Sequence, residues 1–299
     1  MPLPIMSQRI PLLPLVILVV VSPLCLLAFP ARAAEDDASR VPNFAFATQL
    51  GSGVYDVDGR TVQIYRFGPS FQLRSLEGRK WGLRLRFPVT LGFYNFTIAD
   101  VITEGLPSRL NTVALVPSVE VPVIVADDWF LTPFGGVGIA KDLGVGTSTF
   151  IYATGVGSLA LFQLGKQDIR LGNRFVYTGY TTRRFDFEDD FILLETGLDV
   201  QRPTGIRLWQ QELATSLFGV NYLYVVSPQL IQQIEESLRL DTNWELGFTL
   251  GTVEPWKVLG VRFPRLGLSY RFGGNTTALR FIIGNPFPLD PPVRRSGEG

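Results

Sequence analysis

The chain is 299 residues long and carries 27 basic against 27 acidic side chains, a balance that gives nucleic acid no reason to bind. It has no histidine, one cysteine and two methionines, which removes the commonest general base and most soft metal ligands. Hydrophobic residues reach 46%, with 22 phenylalanines and 30 glycines, yet beyond residue 33 no run offers the roughly 18 consecutive apolar residues that a membrane helix needs. An apolar chain without an apolar run is what strand alternation produces.

Arg9 is the only charge before an almost wholly apolar run from Ile10 to Phe29, which Ala31-Arg32-Ala33 follows. A basic start, an apolar middle and a small-x-small site form the pattern of a signal peptide, with cleavage expected after Ala33. Pro11, Pro14 and Pro23 interrupt the run and argue against a retained anchor. Leu24 precedes Cys25 where a lipoprotein would need a small residue. Cleavage would remove Met1, Met6 and Cys25, leaving no sulfur to oxidise in a periplasm. It would also remove Arg9 and Arg32, leaving 25 basic against 27 acidic residues. The expected organisation is a signal peptide over 1–33, a periplasmic N-terminal segment over 34–42, a barrel over 43–287 and a polar, Pro-rich tail over 288–299.

Turn signals divide the rest into twelve expected strands: 43–54, 61–74, 81–94, 112–125, 129–140, 147–162, 167–180, 189–201, 206–224, 242–252, 257–272 and 276–284. In the second, Tyr65, Phe67, Phe71 and Leu73 alternate with Arg66, Gly68, Ser70, Gln72 and Arg74. In the third, Trp81, Leu83, Leu85, Phe87, Val89, Leu91 and Phe93 alternate with Gly82, Arg84, Arg86, Pro88, Thr90 and Gly92. Successive strand side chains face opposite ways, so one face is hydrocarbon and the other small or cationic. The dyad recurs over 113–125 around Ser118 and Glu120, over 169–178 around Arg170 and Arg174, over 192–200 around Glu195 and Asp199, and over 265–272. A soluble sandwich also alternates, but there the polar face favours lysine, whereas here it carries arginine, glycine and serine. The fold class expected is all-β, a transmembrane antiparallel up-and-down barrel of about 12 strands.

The longest connections, 95–111, 181–188 and 225–241, all join an odd strand to an even one. The opposite set is short: Ala126-Asp127-Asp128, Gly165-Lys166, Arg202 to Gly205, and Thr252 to Trp256. Long outer loops and tight periplasmic turns give this asymmetry when both chain ends are periplasmic. Trp81, Trp129, Trp209 and Trp256 start odd strands and would gird one rim. Ile206, Trp209, Leu213 and Leu217 have helical spacing, so 206–217 reads either as strand or as amphipathic helix. Ser227-Pro228 suggests a helix start in the outer loop, and Pro264 a bulge.

Arg265, Gly267, Tyr270 and Phe272 resemble the assembly signal of bacterial outer-membrane barrels: polar, x, Gly, x, x, aromatic, x, aromatic. The resemblance implies a Gram-negative outer-membrane protein that meets periplasmic chaperones and the barrel-assembly machinery before it meets outer-membrane lipids. Such signals usually end the chain, whereas here Leu279, Phe281 and Ile283 follow on a further strand, which leaves open which strand closes the barrel. Twelve strands with arginines inside are similar to the small porins for acidic oligosaccharides, a likeness of architecture.

Dyad phase turns Arg66, Arg74, Arg84, Arg86, Arg170, Arg174, Arg262, Arg265, Arg271 and Arg280 inward, with Glu120, Glu195, Asp199 and Glu245. A twelve-stranded barrel is roughly 24 Å across, at about 4.8 Å strand spacing and about 40° tilt. In so narrow a bore charge is incompletely screened, and a net positive wall favours anions. The expectation is a porin-like channel for passive passage of small anionic solutes. The alternative is a closed structural or assembly-related barrel, in which the arginines pair with these acids and with Asp186, Glu188, Asp189 and Asp190. The outer-membrane phospholipase, the lipid A palmitoyl- and deacylases and the omptin proteases resemble this architecture, but each relies on a histidine. No enzyme activity, metal or other cofactor is expected, and the sequence leaves the oligomeric state open.

Overall fold

A computed structural model describes residues 44–57, 60–96, 111–144, 146–182, 187–208, 211–226, 242–253, 257–258, 261–262, 265–274 and 276–289. The expected leader, the 34–42 segment, the 227–241 loop with its Ser227-Pro228 start, the Pro264 bulge, Trp209 and Trp256 all lie outside them. The chain forms a closed antiparallel barrel of twelve strands. Among the described residues no helix is long and apolar enough to cross a membrane.

Strand β1 (Gly53–Val57) pairs with β2 (Arg60–Phe67), which continues past Gly68-Pro69 as β3 (Ser70–Arg74). The third wall strand is β4 (Leu83–Arg86) followed by β5 (Val89–Phe96), and the fourth is β6 (Thr112–Leu115), β7 (Ser118–Glu120) and β8 (Val123–Ala126). Six continuous strands follow: β9 (Trp129–Asp142), β10 (Ser148–Leu164), β11 (Gln167–Thr182), β12 (Phe187–Leu208), β13 (Gln211–Val226) and β14 (Thr242–Thr252). A two-residue ribbon, β15 (Lys257–Val258) with β16 (Val261–Arg262), pairs only with itself, and β17 (Leu266–Gly273) and β18 (Thr276–Ile283) complete the wall. Strand β18 closes the circle against β1, from Gly53↔Arg280 to Val57↔Thr276.

The alternation sets which side chains go where. Along β18 the pattern is strictly buried then exposed, with Thr276, Ala278, Arg280 and Ile282 inside and Leu279, Phe281 and Ile283 outside. Strand β13 likewise buries Ala214, Ser216, Phe218, Val220, Tyr222 and Tyr224. Residues 206–208 and 211–217 are therefore hairpin wall and not helix: their apolar residues at helical spacing are overruled by ladders on both edges of β13. Apolar side chains cover the outer face, with Phe150, Leu217, Leu246 and Phe248 all exposed.

The breaks in β2–β3, β4–β5 and β6–β7 share one cause. Pro69, Pro88 and Pro117 each lack an N–H and so interrupt a ladder. Their carbonyls still accept, from Phe87 N at 3.1 Å, Val116 N at 3.3 Å and Val137 N at 3.2 Å, which keeps the wall continuous across them.

Four boundaries differ from the sequence reading. Residues 43–54 are not one strand: Phe44–Gln49 form helix α1 inside the barrel, and the wall starts at Gly53. Continuing β1 backwards would set it against Gly68-Pro69, where the proline has no N–H to offer, and inside the lumen the segment satisfies its backbone locally as a helix. The turn expected at Arg202–Gly205 is a bulge within β12, marked by a register shift between Pro203 and Arg207 and by Gly205 at φ 75°. The chain reverses instead between Leu208 and Gln211. Of the expected strand 257–272 only Leu266–Gly273 joins the barrel. The Pro-rich tail starts inside it: Phe287 and Leu289 are buried in the lumen.

Candidate functional site

Eight of the ten expected arginines stand on inward positions: Arg66, Arg84, Arg86, Arg170, Arg174, Arg265, Arg271 and Arg280. Arg74 does not. A register shift between Gln72 and Arg74 brings it opposite Leu83, and its guanidinium lies 3.5 Å over the Trp81 ring at the rim. Arg262 lies on β16, which among the described residues pairs with β15 and not with the barrel sheet.

Each of the four inward acids is taken by arginines. Glu120 holds Arg84 and Arg86, both at 2.7 Å. Asp199 holds Arg265 at 2.9 Å, with Arg170 at 4.0 Å, and Glu195 holds Arg174 at 3.1 Å. Glu245 is fully buried and receives Arg280, the Tyr222 hydroxyl at 2.8 Å and the Ser269 hydroxyl at 2.5 Å. Arg271 lies 3.8 Å over the Tyr222 ring and donates to the Tyr224 hydroxyl at 2.7 Å. Strand register explains three of these contacts: Arg84↔Glu120, Arg174↔Glu195 and Arg170↔Asp199 are directly opposed on adjacent strands. These three pairs sit side by side on the wall, whereas Arg265 reaches over β14 and β13 to Asp199 and Arg280 reaches over β17 to Glu245, so the pairs brace the wall. Of the outer-loop acids, Asp190 accepts from Tyr177 at 2.6 Å on the exposed face and stays out of the lumen.

Two segments fill the barrel from within. Helix α1 packs Phe46 against Phe191 and Tyr224, with ring centroids 6.1 Å and 6.0 Å away, and Gln49 accepts from Arg174 at 2.9 Å. The segment after β18 enters the opposite half. Its Asn285 accepts from Arg170 at 2.8 Å, and Phe287 rests on Gly172 and Gly197. Those glycines are cross-strand partners, and a Cβ on either would meet the Phe287 ring at 2.7 Å. They are a dent cut for that ring. The sequence reading treated the strand glycines as wall and missed this seat. The available signal was that Phe287 and Leu289 are the two largest apolar residues of a Pro-rich, mostly polar tail.

Between α1 and the tail lies a cavity of about 410 Å³, roughly a dozen waters at about 30 Å³ each. Arg66, Arg84, Arg86, Arg174 and Arg280 line it, with Glu120 and Glu195. With Arg280 assigned to Glu245, four guanidiniums and two carboxylates of the described residues line the cavity. Arg66 is the least engaged: its side chain makes no hydrogen bond or ion pair with any described residue, and its electrostatic neighbours are Arg174, Arg86 and Arg280, opposed by Glu195. Among the described residues no group of histidine, cysteine and acidic side chains could hold a metal ion. No family model matches the chain, and no curated protein matches it.

Proposed function

We propose that this chain is an outer-membrane barrel whose lumen is closed at rest by its own terminal segments and whose central cavity selects small anions. The observation that carries the reading is the double occupation of the bore, by α1 on one side of the cavity and by Phe287 and Leu289 on the other. The outward apolar face suits lipid, and in lipid a spanning sheet must close so that every backbone group finds a partner. The paired acids brace the wall, while the surplus of guanidinium charge in the cavity makes it a place for an anion. Passive passage of small anions then requires displacement of the C-terminal segment, whose described part buries the Phe287 ring and Leu289 and accepts from Arg170 through Asn285. The leader-like first 33 residues supply the export that this reading needs, and no chemistry is assigned to the protein.

The test is chloride influx into vesicles that hold a chloride-sensitive dye. The full chain should pass chloride no faster than empty vesicles, a variant truncated after Ile283 should pass it measurably while retarding potassium, and a variant that also lacks residues 44–49 should pass it faster still. Rapid influx through the full chain, or cation preference in the truncated one, would overturn the proposal.

A further inference from the structure

The barrel wall is not equally sealed all round. Strand β1 pairs with β18 only from Val57 to Gly53, and then turns into the lumen at Ser52. Beyond that point β18 still continues to Ile283 along β17, and β3 still continues to Arg74 along β4. Phe281 N–H still donates to the Ser52 carbonyl at 3.0 Å; beyond it, among the described residues, no strand pairs with Ile282 and Ile283 of β18, which stand level with Arg66 and Phe67, or with the outer edge of β3. Among the described residues the result is a lateral seam beside Ser52 and Ile283.

The cavity reaches this seam, since both of its rims line the cavity: Phe67, Pro69 and Ser70 on one side, Phe281, Ile282 and Ile283 on the other. An unpaired strand edge is tolerable at membrane depth only where it borders water or protein, and Pro69 and Ser70 border the cavity. Outside, the rims are strongly apolar: Phe67, Phe71, Phe281 and Ile283 are 52%, 51%, 49% and 68% exposed. Within the same cavity stands Arg66, whose guanidinium is unengaged by any described side chain. One path thus runs from an oily exterior through a backbone gap to an uncompensated cation.

We infer that the seam between β3 and β18 admits a single-chain anionic amphiphile, a long-chain fatty-acid carboxylate, whose head binds Arg66 while its chain lies between the apolar rims. This rests on the anion-selecting cavity proposed above and adds its ligand class and its route. A cavity of about 410 Å³ falls within the roughly 300–1,000 Å³ usual for small-molecule sites, and its mixed lining suits one polar head with an apolar continuation. Guanidinium is the group best matched to a carboxylate, because its forked donors meet both oxygens.

The experiment is equilibrium binding of radiolabelled palmitate to the refolded full chain in detergent micelles, with hexadecanol as the uncharged competitor. Palmitate should bind at one site per chain and hexadecanol should compete at least tenfold more weakly. Arg66→Gln should weaken palmitate binding at least tenfold, and Ser70→Trp, which fills the seam and leaves Arg66 in place, should slow association by a similar factor. Equal competition by hexadecanol, or binding unchanged in Arg66→Gln, would overturn the inference. Association unchanged in Ser70→Trp would overturn the route. No palmitate binding, together with chloride-selective influx through the chain truncated after Ile283, would remove this inference and leave the anion-selecting cavity intact. Amides of β3 as protected from hydrogen exchange as those of β4 would show that another strand already covers the edge, and would also overturn it.

Discussion

Ser52 holds both backbone groups of Arg66 with one hydroxyl: Oγ accepts from the Arg66 N–H at 2.9 Å and donates to the Arg66 carbonyl at 3.2 Å. A side chain thus replaces the strand neighbour that Arg66 loses when β1 leaves the wall. Each such bond contributes about 0.5–1.5 kcal/mol net. Ser52→Ala is therefore expected to speed hydrogen exchange at the Arg66 amide by about tenfold or more, while the Ile64 amide, one pair up the ladder, changes little. Equal exchange at Arg66 in both proteins would show that the hydroxyl does not seal the end of β1.

The Glu245 cluster is the most demanding polar group in the lumen. Its carboxylate is fully buried and takes Arg280, Tyr222 and Ser269 together. Removing one member of a buried ion pair costs about 3–5 kcal/mol, because the other is left unpaired. Glu245→Ala should lower the urea midpoint of the refolded barrel substantially. Glu245→Gln, which keeps the acceptor for Tyr222 or Ser269, should lie between it and the parent. A Glu245→Ala barrel as stable as the parent would mean that water or rearrangement satisfies Arg280.

The seat of the tail offers a sharper perturbation. Gly197 has the Phe287 ring where its Cβ would go, so Gly197→Leu should expel the segment without touching it. Phe287→Ala, from the other side, removes an aromatic burial that costs about 3–5 kcal/mol when truncated in a packed core. Both variants should expose the chain after Ile283 to limited proteolysis and raise chloride influx, and both should leave the barrel folded. Continued protection of the tail in Gly197→Leu would place its anchoring elsewhere.

Much of this was readable from the chain because alternation on a closed sheet leaves little choice. Where one face is apolar, as from Leu279 to Ile283, a one-residue slip would turn every side chain around, so phase alone told inside from outside. That rule placed Arg84, Arg174 and Arg280 and the acids beside them. It failed at Arg74, where a bulge adds a residue and reverses the phase, and it gave no sign that Val261-Arg262 would pair with Lys257-Val258. It failed differently at 44–49. Phe44-Ala45-Phe46-Ala47 alternates as a strand does, but a lumenal segment away from the ladder is better satisfied as a helix. The seat of Phe287 depends on Gly172 and Gly197 meeting across two strands, a register that no local pattern reveals.

If the outward apolar face lies in lipid, the tryptophans report on it directly. Trp129 and Trp81 stand at one rim and Trp244 near the other, each about half exposed on the outer surface. The measurement is tryptophan quenching of the refolded chain in vesicles whose lipids carry bromine at defined depths. A spanning barrel predicts strong quenching, greatest for bromine close to the headgroups and weaker for bromine at the bilayer centre, as belongs to aromatic girdles at two interfaces. Emission untouched by brominated lipid but readily quenched by aqueous acrylamide would contradict the account and return the fold to water.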